Sequence, residues 1–305
     1  MNSSLNQEPW YYSIIFHKVS DGKYTVGLQD LITGLICIAI VALHRLICYM
    51  VISPYLISKS KKKVSHKFYE NFYLSTHYFL AIVFGIWVLR DKLWFKYLFA
   101  PWTDRTNLWI SDGELFPPDI KLFYIWQLAF YIVDLPFATQ EQKQPLIMLL
   151  HHLTTITLVG SSFYTIHYQI GTLLLTLHDI SDVFLYSAKT FGYVDLNTFK
   201  DISFVFFTTT FFYFRLIILP ILDYSSAVEY KGRSGFFGDF VMGPILITIL
   251  VILHINWFWL ILKIIYQIVT HSKLTDIRSD SEVEDGEPVK HHQKPDDADD
   301  LRKRK

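Results

Sequence analysis

The chain has 305 residues, of which 51% are hydrophobic and 17% aromatic, and its 28 basic and 28 acidic side chains cancel formally. That balance gives a nucleic-acid partner no electrostatic footing, and the positive mean hydropathy is too apolar for an ordinary soluble domain. Two cysteines exclude a disulfide framework and a paired C-x-x-C zinc site.

Residues 1–30 are polar and mixed, without the basic flank and short apolar core of a cleaved signal. They are expected to form a short lumenal N-terminus, with Asn2 heading an N-S-S glycosylation sequon. The first apolar run, 31–57, is long enough to cross a bilayer and serves as an uncleaved anchor. Cys37 and Cys48 lie within it, about 16 Å apart along one helix, too far to pair, and read as buried apolar residues.

Six further spans are expected at 72–90, 120–138, 146–165, 168–188, 202–222 and 241–269. The loop after the first span carries Lys59, Lys61, Lys62, Lys63 and Lys67, which places it in the cytosol and the N-terminus in the lumen. Arg90, Lys92, Lys96 and Arg105 then fall in lumenal loops, against the simple rule. Seven crossings leave the C-terminus cytosolic. From 271 to 305 the chain is densely charged and too poor in aliphatic residues to fold, so a disordered cytosolic tail is expected. Ser279 and Ser281 precede acidic residues there and are candidate phosphorylation sites, and the terminal R-K-R-K resembles a dibasic retrieval signal.

The fourth and fifth spans are the least apolar. His178, Asp179 and Asp182 are three and four residues apart, on one expected helix face that continues to Tyr186 and Lys189. In the fourth span His151 and Thr155 share a face, with His152 turned about 100° away. A short lumenal connection near His167 makes the two helices antiparallel neighbours, and their polar faces are expected to meet in one interior pocket. A carboxylate at the bilayer centre costs on the order of 3 kcal/mol. Two within one turn repel unless a proton or an imidazolium lies between them. Histidine beside aspartate relieves that repulsion and leaves an imidazole suited to nucleophilic or general-base work. Interhelical hydrogen bonding alone would also place polar groups here, but three histidines and two aspartates exceed what such glue needs. A metal site is the next reading, weakened by a lone H-H pair without H-x-x-x-H boxes. A seven-helix receptor would not explain the cluster.

H-H-x-x-T, and after 22 intervening residues H-D-x-x-D-x-x-L-x-x-A-K, resembles the signature of the ceramide synthases within the TLC-domain family. It reads here His151, His152, Thr155, then His178, Asp179, Asp182, Leu185, Ala188 and Lys189. The likeness extends over residues 66–270, through "GIWVLRDKLWF" (85–95), "LAFY" (128–131), "FRLIILP" (214–220) and "LHINWFWLILK" (253–263), and reaches the acidic "RSDSE" (278–282). The chain has Gln169 where the family commonly has Arg, and Tyr186 and Gln127 where it commonly has Glu. The homeobox-like insert of many animal members is absent between the first two spans.

The resemblance implies an all-α integral membrane protein with about seven transmembrane helices, six enclosing a pocket. It implies an endoplasmic-reticulum enzyme that joins a fatty acyl-CoA to the amine of a sphingoid base, giving ceramide or dihydroceramide. It needs no cofactor beyond acyl-CoA as co-substrate; membrane lipids and a homo- or heterodimer partner accompany it. His151 or His152 would carry the acyl group or act as base, Asp179 and Asp182 would orient imidazoles, and His178 would shuttle a proton. Thr155, Ser162, Tyr186, Lys189, Arg215 and His254 are supporting positions. A non-catalytic TLC-domain lipid sensor or carrier is the alternative.

Overall fold

The computed structural model describes residues 18–20, 23–24, 26–58, 66–105, 108–109, 115–138, 144–229 and 243–270. Asn2, Ser279 and Ser281, and all of the charged tail beyond Thr270, lie outside the described residues. Seven long helices account for most of what is described. α1 (Leu28–Ile47) continues through a π-helical turn (Cys48–Ile52) into Ser53–Ser58. α2 (His66–Leu89), α3 (Pro118–Ala138), α4 (Pro145–Tyr164) and α5 (Tyr168–Tyr193) follow. α6 starts as Asn197–Phe211 and runs on through π-helical and α-helical turns to Glu229; α7 is Gly243–Val269. A small antiparallel ribbon, β1 (Lys18–Ser20) and β2 (Lys23–Tyr24), precedes α1 where the sequence reading had only polar chain.

Six of the helices are long and apolar enough to cross a membrane, as a multi-pass membrane protein requires. The exception is α5. Its His178, Asp179, Asp182 and Lys189 lower its apolarity, and it avoids lipid by burial: nearly every residue from Tyr168 to Asp179 is enclosed. Its charged residues suit a bilayer least, and it needs the other helices around it.

Helices α2, α3, α4, α7, α6 and α5 touch in that order and close a ring. α1 stands outside it, packed on α3 and on the start of α2, with its other faces exposing Leu28, Leu31, Leu35 and Leu43. Cys37 and Cys48 both face the packed side and are buried. Two polar contacts fix its start: one Asp30 oxygen accepts the Gly27 N–H at 2.8 Å, and the other lies 2.7 Å from Nζ of the buried Lys121.

The expected short connection between α4 and α5 is present, and its effect on packing differs from the expectation. Ile166 adopts φ 61° in the turn, where His167 N–H donates to Ser162 O, closing α4 with a left-handed cap that a β-branched residue enters at a cost of about 1–2 kcal/mol. The helices meet at this turn and then splay. α5 packs chiefly between α2 and α6, and α4 between α3 and α7. Their polar faces therefore look at one another across a space that widens away from the turn.

Close approach near the turn depends on Gly171. A Cβ there would lie 1.5 Å from the Tyr124 hydroxyl and 2.6 Å from its ring. Tyr124 is enclosed by Phe116, Phe163 and Tyr168 and cannot swing aside. Gly171→Ala is expected to destabilise the protein by about 1–3 kcal/mol through overpacking, read as a lower melting temperature in detergent; an unchanged melting temperature would contradict the contact.

Candidate functional site

The space between α4 and α5 divides into two cavities. The larger, about 710 Å³, lies at the end of the bundle that carries Lys67 and Lys189, and His151, His152 and Asp182 are on its wall. That volume falls in the ordinary range for small-molecule sites. The smaller, about 70 Å³, sits by the α4–α5 turn and is lined by Thr155, Ser162, Gly171 and His178. Tyr131 borders both cavities, so the polar interior tapers from one end of the ring towards the other.

The ring geometry separates residues that one helix face was expected to unite. Asp182 faces the large cavity and pairs with Arg215 at 2.8 Å. Asp179 turns towards α3, where the Gln127 amide donates to it at 2.5 Å. His178 turns towards α7, with its Nδ1 2.5 Å from the Leu174 carbonyl and its ring 5.0 Å from that of His254. Since a carbonyl only accepts, Nδ1 carries a proton; the buried Nε2 has no hydrogen-bond partner among the described residues. Both aspartates were expected to orient imidazoles; their direct contacts are with a guanidinium for Asp182 and an amide for Asp179, and Asp182 also acts electrostatically on His152. Each residue step rotates a helix by about 100°, and a ring helix has a neighbour on each flank, so adjacent positions serve different partners.

Arg215 is brought inward by an irregularity in α6. Pro220 denies an N–H to the carbonyl four residues earlier and crowds it, and residues Phe212–Ile218 widen into a π-helical turn just before it. Pro54 is preceded in the same way by the π-helical turn Cys48–Ile52. The wide turn in α6 lets the Arg215 guanidinium reach both the Asp182 carboxylate and the His178 carbonyl, each at 2.8 Å. Its charge is thus matched within the membrane interior, as buried charge must be.

The two histidines of α4 occupy different surroundings. His151 is half-buried at the cavity wall, edge-on to His152 (ring centroids 5.7 Å apart) and to Trp257 (5.0 Å). His152 is buried, with its Nε2 3.9 Å from Asp134 of α3. His254 is fully buried between them and His178, its ring 5.9 Å from that of His151. Thr155 donates to the His151 carbonyl, and Ser162 contacts the Tyr124 hydroxyl, so both brace backbone and packing around the small cavity. Tyr186 stacks on Tyr78, and Lys189 lies over the Tyr186 ring at the mouth of the large cavity.

Sequence reasoning missed Asp134, Glu70 and Arg45, which share this cavity wall. Asp134 and Glu70 sit near helix ends, where charge is expected at a membrane surface, and Arg45 sits late in an otherwise apolar span. At the opposite end two of the cations expected in lumenal loops are matched: Lys92 pairs with Asp119 at 3.2 Å and Arg105 with Glu229.

Comparison with known proteins agrees with this architecture. The TLC domain matches residues 67–263, which take in the six helices of the ring apart from the last residues of α7. Ceramide synthase 4 of Bos taurus is 34% identical over 226 residues, 72% of this chain and 55% of that protein. Ceramide synthase 5 of Homo sapiens is 30% identical over 237 residues, 75% of this chain and 59% of that protein. Ceramide synthase LOH2 of Arabidopsis thaliana is 32% identical over 203 residues, 61% of this chain and 67% of that protein. The chain thus spans little more than half the length of the animal relatives. With the ring of helices α2–α7 coinciding with the matched stretch, and that stretch making up well over half of the sequence, the chain belongs to the TLC-domain family.

Proposed function

We propose that the protein is a ceramide synthase, transferring a fatty acyl group from acyl-CoA to the amine of a sphingoid base. The observation that carries this is the His151–His152 pair on the wall of an intramembrane cavity that also holds Asp182 and Arg215. A carrier would have no need of paired imidazoles beside a charged pair in its lipid cavity. An acyl transferase needs them there, because excluding water keeps an activated acyl group for the amine.

In this reading His151, the more accessible imidazole, attacks the thioester carbonyl. The C–S bond breaks and CoA leaves as the thiolate. The amine then attacks the acyl-imidazole, the new C–N bond forms, and the bond to His151 breaks. The proton lost by the amine passes to His152, where the Asp134 carboxylate stabilises the imidazolium, and then to CoA thiolate or bulk water. Arg215 balances Asp182 and offers positive potential to the carbonyl oxygen as it gains charge. The acyl and sphingoid chains occupy the apolar interior, and the CoA phosphates lie at the mouth near Lys67 and Lys189. Its lysines make that end cytosolic, in an endoplasmic-reticulum membrane.

The test is direct. Purified full-length protein, given a sphingoid base and acyl-CoAs of graded chain length, is expected to yield ceramide by mass spectrometry. Absence of ceramide at every chain length would overturn the proposal, and lipid binding without turnover would identify a carrier.

A further inference from the structure

We propose that Arg45, on the helix outside the ring, is a positioning residue for the reactive histidines, acting through Asp134 on His152. The inference rests on the acyl-transfer reading above. Arg45 belongs to α1, which precedes the matched domain altogether, yet its side chain is buried against the ring.

The geometry is that of a held carboxylate. One Arg45 nitrogen donates to Asp134 Oδ1 at 3.3 Å, and another donates to Glu70 Oε2 at 2.5 Å. Tyr49 also donates to Glu70 Oε2. The guanidinium lies over the Phe137 ring, 3.6 Å from its centroid, and 4.9 Å from that of Tyr73. It is therefore fixed by Glu70 and Tyr73 of α2 and by Asp134 and Phe137 of α3, a carboxylate and an aromatic face from each helix. With Oδ1 of Asp134 engaged by Arg45, Oδ2 is left facing Nε2 of His152 at 3.9 Å.

Three consequences follow from this chain of contacts. Arg45 sets a positive charge against Asp134, on the side away from an imidazole that must become cationic during the reaction. It fixes the rotamer that aims Oδ2 at His152. It also compensates two carboxylates that would otherwise repel each other across the cavity wall. A guanidinium suits this because its planar fork binds two acceptors in different directions while stacking on a ring, and an ammonium does not.

The experiment uses the full-length protein and ceramide formation per folded molecule, with melting temperature recorded in parallel. Arg45→Gln is expected to lower kcat by about 10- to 100-fold, as loss of a partner that orients a histidine does, with KM for acyl-CoA and for the sphingoid base within twofold of the parent. Arg45→Lys, the variant more certain to fold, is expected to recover part of the loss. Asp134→Asn is expected to lower kcat similarly, and adding Arg45→Gln to it is expected to change kcat little further, because the two act in series. Unchanged kcat in Arg45→Lys and Arg45→Gln with only a lower melting temperature would make the residue structural and overturn the proposal. A raised KM for acyl-CoA at unchanged kcat would make it a phosphate contact and overturn it too, as would losses that multiply in the double variant. If the parent protein makes no ceramide, the acyl-transfer reading fails first, which is a separate result.

Discussion

His151→Ala is expected to reduce ceramide formation by about 10²–10⁴-fold, the range over which a positioned acid–base or nucleophilic group acts. The reason is its place. His151 is the one of the α4 pair that is half-buried at the wall of the large cavity, while its neighbour is enclosed against Asp134. Little of the fold depends on it: its rings of contact are Trp257, His152 and His254, and a truncation there enlarges an existing cavity. Melting temperature should change far less than kcat. His178→Ala offers the contrast, since its imidazole lines the small cavity rather than the large one; its loss should be smaller. Full activity in His151→Ala, measured on folded protein with a sphingoid base and acyl-CoA, would rule out a nucleophilic role for that residue.

The second large effect is expected at the Asp182–Arg215 pair. Asp182→Ala leaves the Arg215 guanidinium buried without its carboxylate, a loss of about 3–5 kcal/mol for a pair of this kind. Asp182→Asn keeps the shape and a hydrogen-bond acceptor while removing the charge. The alanine variant is therefore expected to lose both melting temperature and activity, and the asparagine variant mainly activity. The double change Asp182→Leu with Arg215→Met, apolar on both sides, is expected to regain much of the stability lost by Asp182→Ala but no activity. Stability and turnover are then separated in one series: equal melting temperatures for Asp182→Ala and the parent would show that the pair carries no energetic weight.

Most of the fold was legible because a bilayer constrains sequence so strongly. A span needs an unbroken apolar run, and 31–57 and 241–269 announce theirs without ambiguity, matching α1 and α7. α5 was legible for the opposite reason: a helix with His178, Asp179 and Asp182 had to be an interior one. What could not be read was which way those side chains turn. Spacing of three and four residues defines a shared face only when one neighbour covers it, and α5 has α2 on one flank and α6 on the other. Asp179 finds Gln127 on α3, a residue whose amide donates to it. Arg45 was unreadable because its partners, Glu70 and Asp134, are 25 and 89 residues away. No local pattern reports a contact of that kind; only the packing of α1 on α3 does.

That packing has a mechanical consequence. α1 is a lipid-facing helix with few buried apolar residues, and apolar contact alone holds such a helix weakly, since lipid tails solvate it as well as protein does. Ion pairs pin it at two levels instead, Asp30 with Lys121 near one end and Arg45 with Glu70 and Asp134 near the other. Fifteen residues separate the two pins, about 22 Å of helix, most of a bilayer core. With one pin α1 could swing or slip by a turn; with two it has neither freedom. Withdrawing a partner from either pin would leave a protein-buried charge unpaired, at a cost of about 3–5 kcal/mol. The outermost helix is thereby locked in register with the ring, by an attachment that strengthens as its surroundings become drier.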